Sequence, residues 1–180
     1  MHAPLLWLDI ETTGLDEHAS RLLEVGMVLT DGNLNEVASV DVVIGWRDPH
    51  QMVMCNFVRQ MHTASGLLDE VAASRMCLGE AEDLLTAWAR HHDAGGLVMA
   101  GSGVQFDRRW LAHVMPALAG MFHRRSFDMT TLRYFHGEAK GTVPHRALGD
   151  LRQDIRTLRR YASCAQESGL IVVPASVSVA

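Results

Sequence analysis

The chain has 180 residues, 48% of them hydrophobic and 21% charged, and carries a formal net charge of −5. This balance fits a globular domain with a real core, and no apolar run approaches the roughly 20 residues that span a membrane. Acidity also argues against a long nucleic-acid duplex as partner, because gripping one takes many Lys and Arg contacts to phosphate.

The first predicted element is a strand over residues 5–11, LLWLDIE. Alternation sends Leu6, Leu8 and Ile10 to one face and Trp7, Asp9 and Glu11 to the other. Two carboxylates therefore stand side by side at the end of an apolar element. Such charges repel, and burying them is costly unless something positive joins them. On these residues alone two readings stay open: a solvated turn ahead of Gly14, or a metal site. After the loop ETTGLDEHAS comes a second apolar strand, LLEVGMVLT (22–30). Asp31-Gly32-Asn33 is a hairpin signal, and residues 36–44 alternate as a third strand, giving an antiparallel meander. WRDPHQ then breaks the pattern.

The middle is predicted helical. Residues 53–62 carry apolar side chains at near-helical spacing, and Thr63 is placed to cap a helix starting near Ala64. Residues 79–93 set Leu84, Leu85 and Trp88 on one stripe and stop at Gly95-Gly96. LVMAG (97–101) reads as a short buried strand. Residues 104–115 form an amphipathic helix with Phe106, Trp110 and Leu111 inward, ended by Pro116. SFDMTTLRYF (126–135) is a brief strand feeding a helix. The final helix, 145–162, has Leu148, Leu151, Ile155, Leu158 and Ala162 on one stripe. The tail LIVVPASVSVA is expected to be an edge strand or disordered. Strands first, then strands alternating with helices, indicate an α/β domain with a mixed sheet.

The opening MHAPLLWLDIE has no basic leader before its acidic residues, so no signal peptide is expected. Three widely spaced cysteines, Cys55, Cys77 and Cys164, read as reduced thiols in a cytoplasmic setting. The sixteen basic residues are fifteen Arg and Lys140, with pairs at Arg108-Arg109, Arg124-Arg125 and Arg159-Arg160. Each pair is either a solvated helix face or a fork for phosphate. Together with the acidic shell, such pairs suit a short or single-stranded nucleic acid better than a duplex.

Two more carboxylates are placed to join Asp9 and Glu11. Asp107 follows a short strand and a Gly-rich turn, and Asp150 lies five residues after His145. Four oxygen ligands without Cys or paired His suit Mg²⁺ or Mn²⁺, and a pair of such ions serves phosphodiester hydrolysis. His145 beside them has the titration range of a general base. On spacing alone, Asp107 and Asp150 also read as ordinary exposed helix carboxylates, as most Asp residues on helices are. Gly101-Ser102-Gly103 is not a dinucleotide fingerprint, since Phe106 stands where a third Gly is needed. His91-His92 carry no assignment, and Asp128 and Asp154 read as structural.

D-I-E followed by TTGL, F-D-R-R-W-L and H-R-A-L-G-D, in that order, resemble the three exonuclease motifs of the DnaQ-like superfamily in its DEDDh branch. His145, Ala147 and Asp150 fill that branch's H-x-A-x-x-D pattern. LTDGNLNEVA, HTASGL, QFDRRWL and FHRRSFDMTTL further resemble segments of the oligoribonuclease family, and the likeness runs over residues 5–162. It implies an RNase H-like fold: a five-stranded mixed sheet, its first three strands antiparallel, with flanking helices. The single exonuclease domain would be residues 1–165, with a tail at 166–180. The resemblance also implies two divalent cations, Mg²⁺ or Mn²⁺, held by Asp9, Glu11, Asp107 and Asp150, with Asp9 bridging and His145 as general base. The implied reaction is 3′→5′ hydrolysis of short single-stranded RNA to 5′-mononucleotides, in a homodimer.

By the same resemblance Leu15 would wedge against terminal bases, Phe57 would stack on a base where the family has Trp, and His62 would contact substrate near the scissile end. Without the resemblance, Leu15 and Phe57 read as core, and His62 as part of a helix start. The sequence departs from the family around the substrate's 5′ phosphate. Gly103 replaces a Ser for which Ser102 is the substitute, and Arg124 replaces a Tyr. Arg125 keeps an Arg, Thr130 and Thr131 keep hydroxyls, and the segment from Thr131 to His145 is shorter. Two alternatives follow: a DEDDh exonuclease acting on single-stranded DNA or longer RNA, and a non-catalytic nucleotide-binding module.

Overall fold

The computed structural model describes residues 3–92, 94–139, 141 and 145–167. Its five strands are β1 (Leu5–Thr12), β2 (Leu22–Thr30), β3 (Glu36–Val43), β4 (Val98–Gly101) and β5 (Ser126–Asp128), arranged β3-β2-β1-β4-β5. β1, β2 and β3 pair antiparallel, β4 runs parallel to β1, and β5 parallel to β4. The expected mixed sheet with an antiparallel opening is present. Asp31 forms the β2–β3 turn, where one carboxylate oxygen accepts from the backbone N–H of Asn33 and Asn35, both at 2.8 Å.

Seven α-helices are present among the described residues: α1 (Asn56–Ala64), α2 (Leu67–Ala73), α3 (Leu78–His91), α4 (Val104–Val114), α5 (Pro116–Ala119), α6 (Met129–His136) and α7 (Ala147–Glu167). Period-two alternation in β1 sorts the core into two layers. Leu6, Leu8 and Ile10 join Val25 and Met27 of β2 beneath Leu85 of α3 and Trp110 of α4. On the opposite face Trp7 and Val28 pack with Leu151 and Ile155 of α7. Trp7 is fully buried, and its indole N–H donates to Thr30 Oγ1 at 3.0 Å. No helix of the described residues is long and apolar enough to cross a membrane.

The structure corrects several boundaries. The helix expected from residue 53 starts at Asn56, and Thr63 lies inside it, its hydroxyl donating to Arg59 O at 2.7 Å. A Thr that returns its hydroxyl to the i−4 carbonyl is continuing a helix rather than starting one. The break falls instead at Gly66, whose φ of 76° the side-chain-free residue adopts without strain, and α2 begins after it. In α3 the buried stripe is Ala81, Leu85 and Ala89, while Leu84 is 39% exposed. Pro116 ends α4 and also opens α5. The tail expectation lies outside the described residues.

Candidate active site

β4 pairs with β1 from Leu5 to Trp7, whereas the β2 pairing continues to Thr12. The second half of β1 therefore runs on past its parallel neighbour, and this is the half that carries Asp9 and Glu11. Register places Asp9 opposite Gly26, Gly26 opposite Asp41, and Glu11 opposite Glu24. Since directly opposed residues share a face, four carboxylates (Asp9, Glu11, Glu24 and Asp41) occupy one end of the sheet on the α7 side. Burial beside Glu24 pushes the Asp41 carboxyl up to about 7.

Helix α7 can land on this face because residue 26 has no side chain. A β-carbon there would lie 2.7 Å from Ala147 Cβ, closer than such atoms pack. The first turn of α7 then brings Asp150 to the carboxylates. Glu11, Asp150 and His145 each offer a ligand atom within 4.8 Å of the others, with Glu11 and Asp150 buried and His145 half-buried. Asp9, half-buried, is two residues upstream of Glu11 on the same face, outside that trio. Asp107 is 2% exposed in the first turn of α4 and also lies outside it. Asp128 fixes where α4 starts: its two carboxylate oxygens accept from Gly103 N at 3.2 Å and Val104 N at 3.1 Å. Two buried carboxylates and an imidazole form an oxygen-rich donor set that suits a hard divalent cation, and such a cation relieves their repulsion.

His62, expected to contact substrate, lies on α1 beside Glu11. Its side chain is fully buried, Nε2 donates to Thr12 O at 2.9 Å, and Nδ1 lies 3.9 Å from Glu11 Oε2. Burial holds its pKa below the ordinary histidine value. The neutral ring therefore supports the end of β1.

Beside Glu11 opens a cavity of about 600 Å³, whose wall runs from Ile10 to Leu15 and includes Phe57, Met61 and Phe106. Leu15 is 79% exposed and Phe57 70%, so the reading of either as core is overturned. Phe106 packs at 6.1 Å from Trp110 and also faces this cavity, a second role that helical periodicity alone did not reveal. Arg109 ties the Leu15 loop to α4, donating to Leu15 O at 2.9 Å and to Glu17 Oε2 at 2.8 Å.

The other expected contacts are spread more widely. Ser102 donates its hydroxyl proton to Asp154 Oδ2 at 2.7 Å and accepts from Arg133 at 2.6 Å, so its hydroxyl is committed to a buried ion pair. Asp154 is structural, as expected. Arg125, Thr130 and Thr131 are exposed. Among the arginine pairs, Arg108 holds Ser126 and the carbonyls of His123 and Arg125. Arg159 binds Leu34 O, and Arg160 binds Glu138. Those guanidinium groups brace the fold. Arg146 and Glu24 escaped the sequence reading, although an acidic residue inside the apolar run LLEVGMVLT was a visible signal.

Residues 6–158 match the family model described as exonuclease. The oligoribonuclease of Rhodococcus jostii is 36% identical over 177 residues, covering 92% of this chain and 89% of that protein. The oligoribonuclease of Streptomyces griseus is 38% identical over 174 residues, covering 89% and 86%. Among solved structures, S. pombe Pop2p in its Mg²⁺- and Mn²⁺-bound form superposes with a TM-score of 0.67 at 12% identity, over 89% of this chain and 83% of that one. E. coli Exonuclease I in complex with a dT13 oligonucleotide gives 0.65 at 13% identity, over 93% of this chain but 43% of that longer one. At such identities these two structures speak for the RNase H-like fold alone, whereas the sequence relatives carry the family. The chain belongs to the exonuclease family and, within it, to the oligoribonucleases.

Proposed function

We propose that this chain is a metal-dependent 3′→5′ exoribonuclease that hydrolyses short oligoribonucleotides, down to dinucleotides, to 5′-mononucleotides. The observation that carries the reading is the meeting of Glu11, Asp150 and His145 within 4.8 Å, next to a cavity walled by exposed Leu15 and Phe57. Asp9, Glu11, Asp107 and Asp150 would hold two divalent cations, Mg²⁺ or Mn²⁺. Bound there, such ions acidify water and offset charge on the phosphate. His145 takes the proton of the attacking water on an imidazole nitrogen. The water oxygen bonds to phosphorus and the P–O3′ bond breaks. The products are a nucleoside 5′-monophosphate and a chain one unit shorter with a 3′-hydroxyl.

Leu15 and Phe57 present apolar and π surface to the terminal bases, a grip that tolerates any sequence. Arg125, Thr130 and Thr131 face the substrate's 5′ side, while Ser102 supports that side through Arg133 and Asp154. The likeness to oligoribonucleases supports a homodimer acting in the cytoplasm, with residues 1–165 as the exonuclease domain and 166–180 as a tail.

The test is a length ladder of 5′-labelled RNA and matched DNA, with Mn²⁺ or with chelator. Expected are stepwise shortening from the 3′ end, fastest cleavage of the shortest RNA, slower cleavage of DNA and no cleavage with chelator. Equal rates on DNA and RNA would overturn the ribonucleotide preference, and turnover in chelator would overturn the metal requirement.

A further inference from the structure

The acidic end of the sheet holds more negative charge than the proposed ions address, and the chain supplies its own cation for the remainder. Glu24 is 0% exposed, so its charge requires a partner. That partner is Arg146, the residue between His145 and the first residue of α7. Arg146 Nε donates to Glu24 Oε1 at 2.9 Å, and Nη2 lies 2.8 Å from the same oxygen. Nη1 and Nη2 also grip both oxygens of Glu70 on α2, at 2.6 and 2.8 Å, and Asp41 lies 3.9 Å away. One planar fork thus spans β2, β3 and α2.

The same residue starts helix α7. Its carbonyl accepts the N–H of Asp150 at 3.0 Å, the first i→i+4 bond of the helix, while Ala147 N donates to Glu24 Oε2 at 3.1 Å. Glu24 therefore binds the arginine and caps the helix N-terminus together. His145 lies one residue before this anchor and Asp150 four after it. Glu11, the third member of the trio, is directly across the β1–β2 ladder from Glu24. Sliding or rotating the first turn of α7 would separate His145 and Asp150 from Glu11 at once.

We propose that Arg146, through Glu24 and Glu70, is the positioning residue that sets His145 and Asp150 against Glu11. This rests on the exonuclease reading of the site. It assigns to Arg146 no contact with substrate, only the placement of groups that act on it. Misplacement of reacting groups by about 1 Å costs on the order of a hundredfold in rate. A lysine would keep a charge beside Glu24 but lose the fork.

The experiment compares Arg146→Lys, Glu70→Gln and Arg152→Lys with the wild type. Arg152 forms a similar fork from α7 to Glu36, at 3.0 and 2.8 Å, but away from the trio. Steady-state kinetics on a diribonucleotide, Mn²⁺ affinity by calorimetry, and Tm are read for each. Expected for Arg146→Lys is a kcat lower by about tenfold or more, KM within about twofold, weaker Mn²⁺ binding and a nearly unchanged Tm. Glu70→Gln, at a half-exposed site, should show the same pattern more weakly, and Arg152→Lys should match the wild type. The proposal is overturned if Arg146→Lys keeps kcat and Mn²⁺ affinity, if KM alone rises, or if Arg152→Lys loses as much. A wild type with no activity on any RNA would instead overturn the exoribonuclease reading, and the ranking of Mn²⁺ affinities would still decide the role of Arg146.

Discussion

The two halves of β1 are built from one continuous run of residues and meet opposite demands. From Leu5 to Trp7 the strand is flanked by β2 on one side and β4 on the other, and Leu6 and Trp7 are fully buried. From Asp9 to Thr12 it keeps its β2 neighbour past the end of the β4 ladder, and its α7-facing side chains are acidic. The first half gains free energy by excluding water, about 25 cal/mol per Å² of apolar surface. The second spends free energy by holding like charges together, which a cation at the proposed site would recover. Stability and chemistry thus sit within a few residues of one another yet should separate cleanly on mutation.

The largest effect is expected from the acidic half. If Asp9 is a metal ligand as proposed, Asp9→Asn should abolish turnover, while the fold survives. A lower Tm together with retained activity would place Asp9 with the structural half. With His145 as the proposed general base, His145→Ala should lower kcat by about a hundredfold with little change in KM, because such a base acts in the chemical step. Single-turnover rates measured beside binding would show it, and a loss in affinity alone would reassign the residue.

Trp7→Ala should give the inverse pattern. Removal of a buried aromatic that also meets Phe127 edge-on at 6.5 Å should cost about 3–5 kcal/mol in denaturant unfolding. Activity per folded molecule should stay within a few fold. Phe57→Ala, at an exposed site, should raise KM by roughly the 1–3 kcal/mol of one base stack and leave Tm unchanged.

The last effect is in pH dependence. With its carboxyl raised from the ordinary 3.8 to about 7, Asp41 is more readily protonated in the folded than in the unfolded chain. Its stabilising contribution is complete below pH 3.8 and is lost as pH rises through 7. Melting curves of Asp41→Asn should therefore decline less than wild type between pH 5 and 8. Parallel declines would show that Arg146 already neutralises this carboxylate.

Much of this division was legible in the sequence because its signals are local. Alternation in LLWLDIE correctly sorted Leu6, Leu8 and Ile10 from Trp7, and the hairpin at Asp31 follows from its turn chemistry. The three acidic motifs identified the catalytic family. What escaped depends on partners distant along the chain. Arg146 meets Glu70 across 76 residues and Glu24 across 122, and no periodicity reports such a pairing. The hydroxyl of Ser102 reads as available until Arg133 and Asp154 fold onto it. His62 reads as part of a helix start until the fold brings its ring to the carbonyl of Thr12, 50 residues away. Leu84 fits the same helical stripe as Leu85 on paper, but in α3 it lies toward the solvent edge of that stripe.

Gly26 carries a last consequence. Since α7 rests against bare backbone at that residue, the gap between strand and helix is at its minimum. Any methyl or larger group there would lift the helix end, carrying His145 and Asp150 away while Asp9 and Glu11 stayed with the sheet. The spacing between the β1 carboxylates and the first turn of α7 is thereby gauged by a residue that has no side chain of its own. Drift at this seam is restricted by steric clearance even though the position has no chemistry of its own.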